Sequence, residues 1–344
     1  MFGFPVLHYD FPSQSPNWNV MKRLRILVAT CCLLLILGCA SDKKRNSTAK
    51  SVSPNPSLES LTSDKSVEQA AYKNTDPAPQ TTTEMTAEKS APASDVIKKK
   101  QGFAESFLFQ PLKYPKGFDR MIIEGQRVQF KSEDGTELDG RYFRGVKPKG
   151  IIVFCHGNGG NLAGRSARMH QLQQKHNYSV FIFDYRGYGR SQGKPTVSGV
   201  VADGRAAVRK AAELANMKPE DVIVMGRSMG GAVAVQVANY FQSKALIVES
   251  SFTSFKDVAK YHVGWISAMA NKQHLTSEAD IKNYRGRVLI SHGTEDNVVP
   301  YDHGQRLYAA ANQPKLFYKI ENGGHNDPMP ATYDEVLKKF LSGL

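Results

Sequence analysis

The stretch DVIVMGRSMGGAVAVQVANYF, residues 221–241, decides the fold of this chain. Its first part, Asp221 to Met225, contains valine and isoleucine in a short run that is typical of a strand buried on both faces. Its last part, Met229 to Phe241, predicts a helix. Because the strand turns almost directly into the helix, this unit belongs to a fold in which strands and helices alternate.

The same alternation continues on both sides of this unit. Short apolar runs predict strands at residues 151–154, 180–183, 222–224, 245–248, 288–290 and 316–320. Helices are predicted at residues 163–175, 197–215, 229–241, 255–270, 303–311 and 333–341. Earlier runs at 128–130 and 138–143 flank a turn at Asp134 and Gly135 and predict a hairpin. We therefore predict an α/β fold with a mostly parallel central sheet, helices on both faces and an amino-terminal antiparallel hairpin.

The segment between the strand and the helix carries a catalytic motif. Gly226, Arg227, Ser228, Met229 and Gly230 match the pattern GxSxG. In this pattern a sharp turn lifts a serine hydroxyl above the sheet, and small neighbours avoid a clash. The five residues alone are weak evidence, but the strand before them and the helix after them supply the context that the motif requires. Ser228 is therefore the predicted nucleophile.

A serine nucleophile needs a base to take its proton and a carboxylate to orient that base. Asp296 follows a predicted strand in the run HGTEDNVVP, and His325 follows the last predicted strand in the run ENGGHND. The chain order serine, acid, histidine at successive strand ends predicts Asp296 as acid and His325 as base. Glu249, at the end of the strand after the motif, is an alternative acid.

Acyl transfer also needs hydrogen-bond donors where negative charge forms on oxygen. The amide of Met229, directly after the serine, is the first predicted donor of this oxyanion hole. The loop HGNGGN, residues 156–161, follows an early strand, and its glycines let main-chain amides approach a substrate. Asn158 is the predicted second donor. The loop lacks the lysine that a phosphate-binding Walker motif requires.

Five motifs in this order resemble one family. HGNGGN (156–161), DYRGYGRSQGKP (184–195), GRSMGG (226–231), HGTEDNVVP (292–300) and GGHND (323–327) are similar to α/β hydrolases, in the branch of bud-emergence-type hydrolases and membrane-associated depalmitoylating thioesterases. The resemblance covers residues 101–344. It implies a triad of Ser228, Asp296 and His325, with residues 184–189 shaping the floor of the site.

The amino-terminal part lies outside this resemblance. Residues 21–38 have a basic start and an apolar core of about a dozen residues, shorter than the roughly 20 that span a bilayer, and they predict a signal peptide. The tetrad ending at Cys39 resembles a bacterial lipobox, which implies lipidation of Cys39 and, because Ala40 follows, an outer-membrane location facing the periplasm. Residues 39–100 are rich in Ser, Thr, Pro and Lys and predict a disordered tether, and residues 1–20 are interpreted as an upstream extension.

Composition narrows the remaining function classes. The net charge of +13 is spread along the chain without a basic run interleaved with aromatics, so no nucleic-acid partner is expected. Outside the signal only Cys39 and Cys155 remain, and Cys155 is predicted to be a buried small hydrophobe. The predicted chemistry needs neither a metal nor an organic cofactor.

The leading hypothesis is a serine hydrolase of ester or thioester bonds, anchored to the bacterial envelope by a lipid. Between Glu249 and Arg285 there is room for only a helix or two. We therefore expect that no large cap covers the site and that its pocket is open. Tyr261, Trp265 and Met269 recur at helical spacing there and are either an acyl groove or ordinary packing. An aminopeptidase-like amidase and an inactive hydrolase-fold binding lipoprotein are the alternatives.

Overall fold

Strands and helices alternate through the part of the chain that the computed structural model describes, which comprises residues 109–114, 125–263 and 275–344. The strands are β1 (Gln110–Pro111), β2 (Gln126–Lys131), β3 (Glu137–Phe143), β4 (Ile151–Cys155), β5 (Gly159–Gly160), β6 (Ser179–Asp184), β7 (Ile223–Arg227), β8 (Ala245–Glu249), β9 (Arg287–Gly293) and β10 (Lys315–Ile320). The helices are α1 (Ala163–His176), α2 (Val197–Ala215), α3 (Met229–Phe241), α4 (Phe255–Val263), α5 (Ser277–Asp280), α6 (Tyr301–Ala310) and α7 (Ala331–Ser342).

The central sheet has eight strands in the order β10-β9-β8-β7-β4-β6-β3-β2. Strand β3 runs antiparallel to both of its neighbours, β2 and β6, while the other neighbouring strands pair in parallel. The predicted mostly parallel α/β sheet is thus confirmed. The carboxyl ends of β4, β7, β8, β9 and β10 meet at one edge of this sheet, where parallel folds of this kind bind their ligands.

Helices cover both faces of the sheet because alternate strand residues point to opposite sides. In β4, Ile151 and Val153 contribute to one apolar cluster, which includes buried residues of α2 and α3. Ile152 and Phe154 contribute to the other cluster, which includes buried residues of α1 and α7. Strand β4 is buried at every position, which explains its uninterrupted apolar sequence.

The structure adds short features that the sequence patterns did not predict. Strands β1 and β5 form a separate two-stranded parallel sheet, in which Gln110 lies opposite Gly159. Helix α5 and a 3-10 turn at Ile281–Asn283 follow α4. These elements have two to four residues each, too few to produce a hydrophobic period.

Several predictions fall on residues outside the described ranges. The signal peptide, Cys39, the tether and the far part of the helix predicted at 255–270, with Trp265 and Met269, are among them. Helix α4 is described as far as Val263. Within the described ranges, every helix is too short or too polar to cross a bilayer. Cys155 is a free cysteine with no exposed surface, as predicted.

Candidate active site

The turn between β7 and α3 holds Ser228 in an unusual backbone conformation. Its φ is 55° and its ψ is −127°, a region that residues with a side chain rarely adopt. Gly226 and Gly230 make the turn possible, because a Cβ at Gly226 would collide with the Gly230 carbonyl and one at Gly230 would collide with the Cys155 carbonyl. The Ser228 amide donates to the carbonyl of Glu249 at 2.9 Å, which holds the turn against β8.

Ser228, His325 and Asp296 form a continuous hydrogen-bonded chain. His325 Nε2 lies 3.0 Å from Ser228 Oγ, and His325 Nδ1 lies 2.7 Å from Asp296 Oδ2. Since an ionised carboxylate only accepts, Nδ1 carries the proton and Nε2 is free to accept one from the hydroxyl. The three residues follow β7, β9 and β10, so the sheet brings together side chains that are up to 97 positions apart in the chain.

Asp296 is held by its own loop as well as by His325. Its Oδ1 accepts from the amides of Val298 at 2.9 Å and Val299 at 2.7 Å. His292 Nε2, which donates to the Val299 carbonyl at 2.8 Å, lies 3.4 Å from Asp296 Oδ2. Burial alone would raise the pKa of Asp296, but the hydrogen bonds of His292, His325 and the Val299 amide outweigh it and keep this pKa well below its usual range. Asp296 is therefore an ionised partner for the imidazole.

Glu249 does not occupy the acid position that the sequence left open to it. Its side chain is fully buried, and its two carboxylate oxygens accept from Arg168 at 2.6 and 2.9 Å. Tyr333 donates its hydroxyl to the same carboxylate at 2.8 Å. Burial would raise the pKa of Glu249, and Arg168 outweighs burial and lowers it. The side chain bonded to His325 is Asp296, so the alternative prediction of Glu249 as the acid does not agree with the structure. The Glu249 carboxylate neutralises Arg168 instead.

The 156–161 loop lies directly against Ser228. A Cβ built on Gly157 would stand 3.5 Å from the Cβ of Ser228 and 3.5 Å from the Arg227 carbonyl oxygen, which is van der Waals contact, so the loop packs directly on the turn that carries Ser228. The next residue, Asn158, uses its side-chain oxygen to accept from the Gln110 amide at 2.8 Å and from the Tyr188 hydroxyl at 3.0 Å. These two bonds hold the Asn158 side chain, and with it the loop, in place. They leave the predicted role of Asn158 to its main-chain amide, beside that of Met229.

Asp184 lies beneath this loop and braces it. Its carboxylate is fully buried and accepts from the Leu162 amide at 2.7 Å and from the Tyr114 hydroxyl at 3.3 Å. Burial is the main reason that the pKa of Asp184 is raised to about 7. Gly189 must lack a side chain, because a Cβ there would overlap the Asp184 carboxylate. The DYRGYG segment thus supports the floor of the site rather than reaching Ser228.

Arg227, inside the GxSxG motif, makes contacts that the sequence patterns did not predict. Its Nη2 donates to the main-chain carbonyl of His325 at 2.6 Å and to that of Asp327 at 3.2 Å. The residue before Ser228 therefore fixes the loop that carries the imidazole. The sequence signal that could have indicated this role is a long charged side chain inside a tight turn. Among the residues that the structure describes, no cluster of three His, Cys, Asp or Glu side chains could hold a metal ion.

The chain is similar to a hydrolase family and to curated relatives. A family model described as serine aminopeptidase, S33, matches residues 146–276. An uncharacterised protein of Mycobacterium tuberculosis is 35% identical over 214 residues, which cover 60% of this chain and 75% of that protein. Human alpha/beta hydrolase domain-containing protein 17B is 34% identical over 200 residues, 56% of this chain and 67% of that protein.

Solved structures share the fold at lower identity. An esterase of Pyrococcus furiosus superposes with a TM-score of 0.57 at 16% identity, covering 69% of this chain and 98% of its own. The Est1E protein of Butyrivibrio proteoclasticus, with ferulic acid bound, gives a TM-score of 0.54 at 18% identity and covers 63% of this chain and 98% of its own. These likenesses support the predicted arrangement of sheet and helices.

Proposed function

This chain belongs to the α/β-hydrolase superfamily and is a hydrolase, and we propose that it cleaves carboxylic ester or thioester bonds through an acyl-enzyme at Ser228. The observation that carries the proposal is the chain of two hydrogen bonds from Ser228 Oγ through His325 to Asp296, at 3.0 and 2.7 Å. The first distance allows a proton to pass from the hydroxyl to the imidazole. The second allows the carboxylate to stabilise the positive charge that then forms on the imidazole.

Acylation begins when His325 Nε2 takes the hydroxyl proton and Ser228 Oγ attacks the carbonyl carbon of the substrate. The C=O electron pair moves to oxygen, and the amides of Met229 and Asn158 are the proposed donors to that oxyanion. When the tetrahedral intermediate collapses, the bond to the leaving oxygen or sulfur breaks. As this bond breaks, His325 gives its proton to that oxygen or sulfur, which leaves as an alcohol or thiol, and the acyl group stays on Ser228.

Deacylation repeats the same steps with water. His325 accepts a proton from a water molecule whose oxygen attacks the acyl carbon, and the second tetrahedral intermediate releases a carboxylic acid. The proton returns from Nε2 to Ser228 Oγ. Asp296 remains ionised throughout, which is consistent with its lowered pKa.

Amide hydrolysis is a second candidate, because the family model that matches residues 146–276 is described as serine aminopeptidase. The same residues would act, with an amine as leaving group. A binding protein without catalysis is less well supported, because such a protein needs neither the strained conformation of Ser228 nor the alignment of His325.

One experiment tests the proposal against both alternatives. The purified protein and its S228A variant are treated with a fluorophosphonate probe and then assayed with p-nitrophenyl esters of graded chain length, a thioester and aminoacyl p-nitroanilides. Labelling and ester or thioester turnover that disappear in S228A support the proposal. Turnover of the anilides alone assigns the amidase, and equal labelling of the two proteins, or none, assigns a binding protein.

We also propose that the chain is tethered to the outer membrane, facing the periplasm, by an acyl group on Cys39. The support is the predicted signal at residues 21–38 and the predicted tether at 39–100. Incorporation of labelled palmitate and detergent-phase partitioning in cells test it. C39S should lose both, and C155S, which changes the buried cysteine of β4, is the matched control. Equal labelling of C39S and wild type would overturn the tether.

A further inference from the structure

Arg165 is hydrogen-bonded to the 156–161 loop, which lies against Ser228. It stands in the first turn of α1, and its Nη2 and Nη1 donate to the main-chain carbonyls of Gly159 at 2.7 Å and Asn161 at 3.0 Å. The loop makes room for it, because Gly160 has a φ of 79° and a Cβ there would stand 2.7 Å from Arg165 Nη1. The guanidinium is therefore seated at a defined place next to the 156–161 loop.

Arg227 is the second arginine next to Ser228. It is the residue immediately before the nucleophile, and it too uses main-chain carbonyls, those of His325 and Asp327, as its hydrogen-bond acceptors. Both arginines are partly buried rather than fully solvated. Two guanidiniums thus stand on the segments that border the reacting oxygen.

The charges of these two guanidiniums are not neutralised by an ion pair within the described part of the chain. A carbonyl accepts a hydrogen bond but carries no net charge, so Arg165 and Arg227 differ from Arg168, whose guanidinium pairs with the fully buried Glu249 at 2.6 Å. Burial lowers the pKa of Arg165, Asp184 acts in the opposite direction, and Arg227 lowers it further. The two arginines therefore repel each other across the site.

The nearby carboxyl groups compensate this charge only in part. Asp184, which acts on Arg165, has its pKa raised to about 7 by burial and is half protonated near neutral pH. Glu249 and Asp296 attract Arg227, but Glu249 is already paired with Arg168, and Asp296 makes its hydrogen bonds to His325 and to its own loop rather than to Arg227. Helix α1 has no acidic residue in its first turn. An anion placed between Arg165 and Arg227 would relieve the repulsion.

We propose that Arg165 and Arg227 form an anion subsite beside Ser228, and that the preferred substrate is an ester or thioester bearing a carboxylate or phosphate group. The inference rests on the proposed hydrolase function and deepens it by naming the substrate class. Guanidiniums suit both anions, because each Nη carries two N–H donors and those not used on main-chain carbonyls remain for the oxygens of a carboxylate or a phosphate.

The test compares two esters on the same enzyme. Mono-p-nitrophenyl glutarate is anionic, p-nitrophenyl hexanoate is neutral and of similar length, and the quantity measured is the ratio of their kcat/KM values. Because both esters use the same triad, a general loss of activity cancels in this ratio. We expect the anionic ester to be preferred by wild type and the ratio to fall about tenfold in R165Q and in R227Q.

Two further variants separate a local site from a general effect of charge. R165K keeps the charge but loses the fork, and its ratio should lie between those of wild type and R165Q. R144Q removes a charge at an exposed position outside the site, and its ratio should equal that of wild type. Inhibition of neutral-ester turnover by glutarate and by inorganic phosphate, measured separately, distinguishes a carboxylate from a phosphate as the preferred anion.

Failure of this inference and failure of the proposed function give different results. If both esters are hydrolysed in a Ser228-dependent way but R165Q and R227Q keep the wild-type ratio, the anion subsite is wrong and the hydrolase stands. The same holds if R144Q lowers the ratio as much as R165Q does. If neither ester is hydrolysed by wild type, the proposed function fails and the subsite fails with it.

Discussion

Arg227 donates from its guanidinium to the main-chain carbonyl of His325, with Nη2 2.6 Å from that oxygen. The residue before Ser228 thereby holds the loop that carries the imidazole, although Arg227 and His325 are 98 positions apart. A second bond to the Asp327 carbonyl at 3.2 Å fixes the same loop. We infer that Arg227 positions the imidazole for proton transfer in addition to its proposed place in the anion subsite.

The positioning role of Arg227 predicts a loss of kcat on a neutral ester, where the anion subsite contributes little. R227Q should lower kcat on p-nitrophenyl hexanoate about tenfold with a smaller change in KM, because a loosened imidazole impairs the chemical step. R227K, which can still donate to one carbonyl, should lose less. Pre-steady-state rates of acylation measure the step directly. A change in KM alone would show that Arg227 contributes only to binding.

The strained turn predicts that activity and stability oppose each other at position 228. Ser228 has a φ of 55°, and a non-glycine residue in such a region costs on the order of 1–3 kcal/mol. S228G and S228A both remove the nucleophile, but only glycine relieves the strain. S228G should therefore unfold with a free energy about 1 kcal/mol higher than that of S228A, allowing for the greater freedom of glycine in the unfolded chain. Urea unfolding of the two variants checks this, and equal midpoints would contradict it.

The two buried carboxylates at the sheet edge predict opposite phenotypes. D296N leaves the imidazole without an ionised partner and should lower kcat by roughly 10⁴-fold. E249Q leaves His325 untouched but removes the partner of Arg168, so its unfolding free energy should fall by about 3 kcal/mol while kcat per folded molecule changes far less. Ester turnover and urea unfolding of both variants show which carboxylate supports catalysis and which supports stability. A collapse of kcat in E249Q with full activity in D296N would restore Glu249 as the acid.

The lowered pKa of Asp296 predicts that the effect of D296N on stability depends on pH. A carboxyl whose folded pKa lies below its unfolded value of about 3.9 stabilises the fold above that pH, and this contribution is lost as the pH falls through the folded pKa. The difference in unfolding free energy between wild type and D296N should therefore shrink as the pH falls below about 4. A constant difference down to pH 2 would contradict the assignment.

Much of the fold and of the candidate site could be predicted, because the segments that form them produce strong local signals. The strand of β7 and the helix α3 each have a clear hydrophobic pattern, and GxSxG fixes the turn between them. Asp296 and His325 follow strands, and the ends of parallel strands must meet at one edge of a sheet. Their convergence on Ser228 was thus predictable from chain order, whereas the distances between their atoms were not.

The contacts that the sequence did not predict are those between side chains distant in the chain. The pairing of Glu249 with Arg168 joins β8 to α1, and the bond of Arg227 to His325 joins two loops. No spacing rule links such positions, because each contact depends on how the layers pack. Glu249 therefore remained a plausible acid at the level of sequence, and its neutralisation of Arg168 became visible only in three dimensions.

The buried carboxyl of Asp184 predicts an unusual pH dependence of stability. Burial raises its pKa to about 7, whereas the unfolded value is about 3.9. Below about pH 4 the group is protonated in both states and its contribution is fully present. As the pH rises from about 4 to 7 the unfolded chain loses this proton while the folded protein keeps it, so stability is lost across this window. D184N cannot ionise and should flatten the curve there.

Urea unfolding of wild type and D184N at half-unit steps from pH 4 to pH 8 measures this contribution as the difference between the two curves. Other titratable groups face Asp184, namely Tyr114, His156 and, further away, Asp139, so the comparison with D184N is needed to isolate it. D302N, which changes an exposed aspartate in α6, should run parallel to wild type. The difference between wild type and D184N should change steadily through the window and level off above pH 8. Parallel curves for wild type and D184N would mean that Asp184 is ionised in the folded protein, and that the charge of Arg165 is then compensated from below the loop.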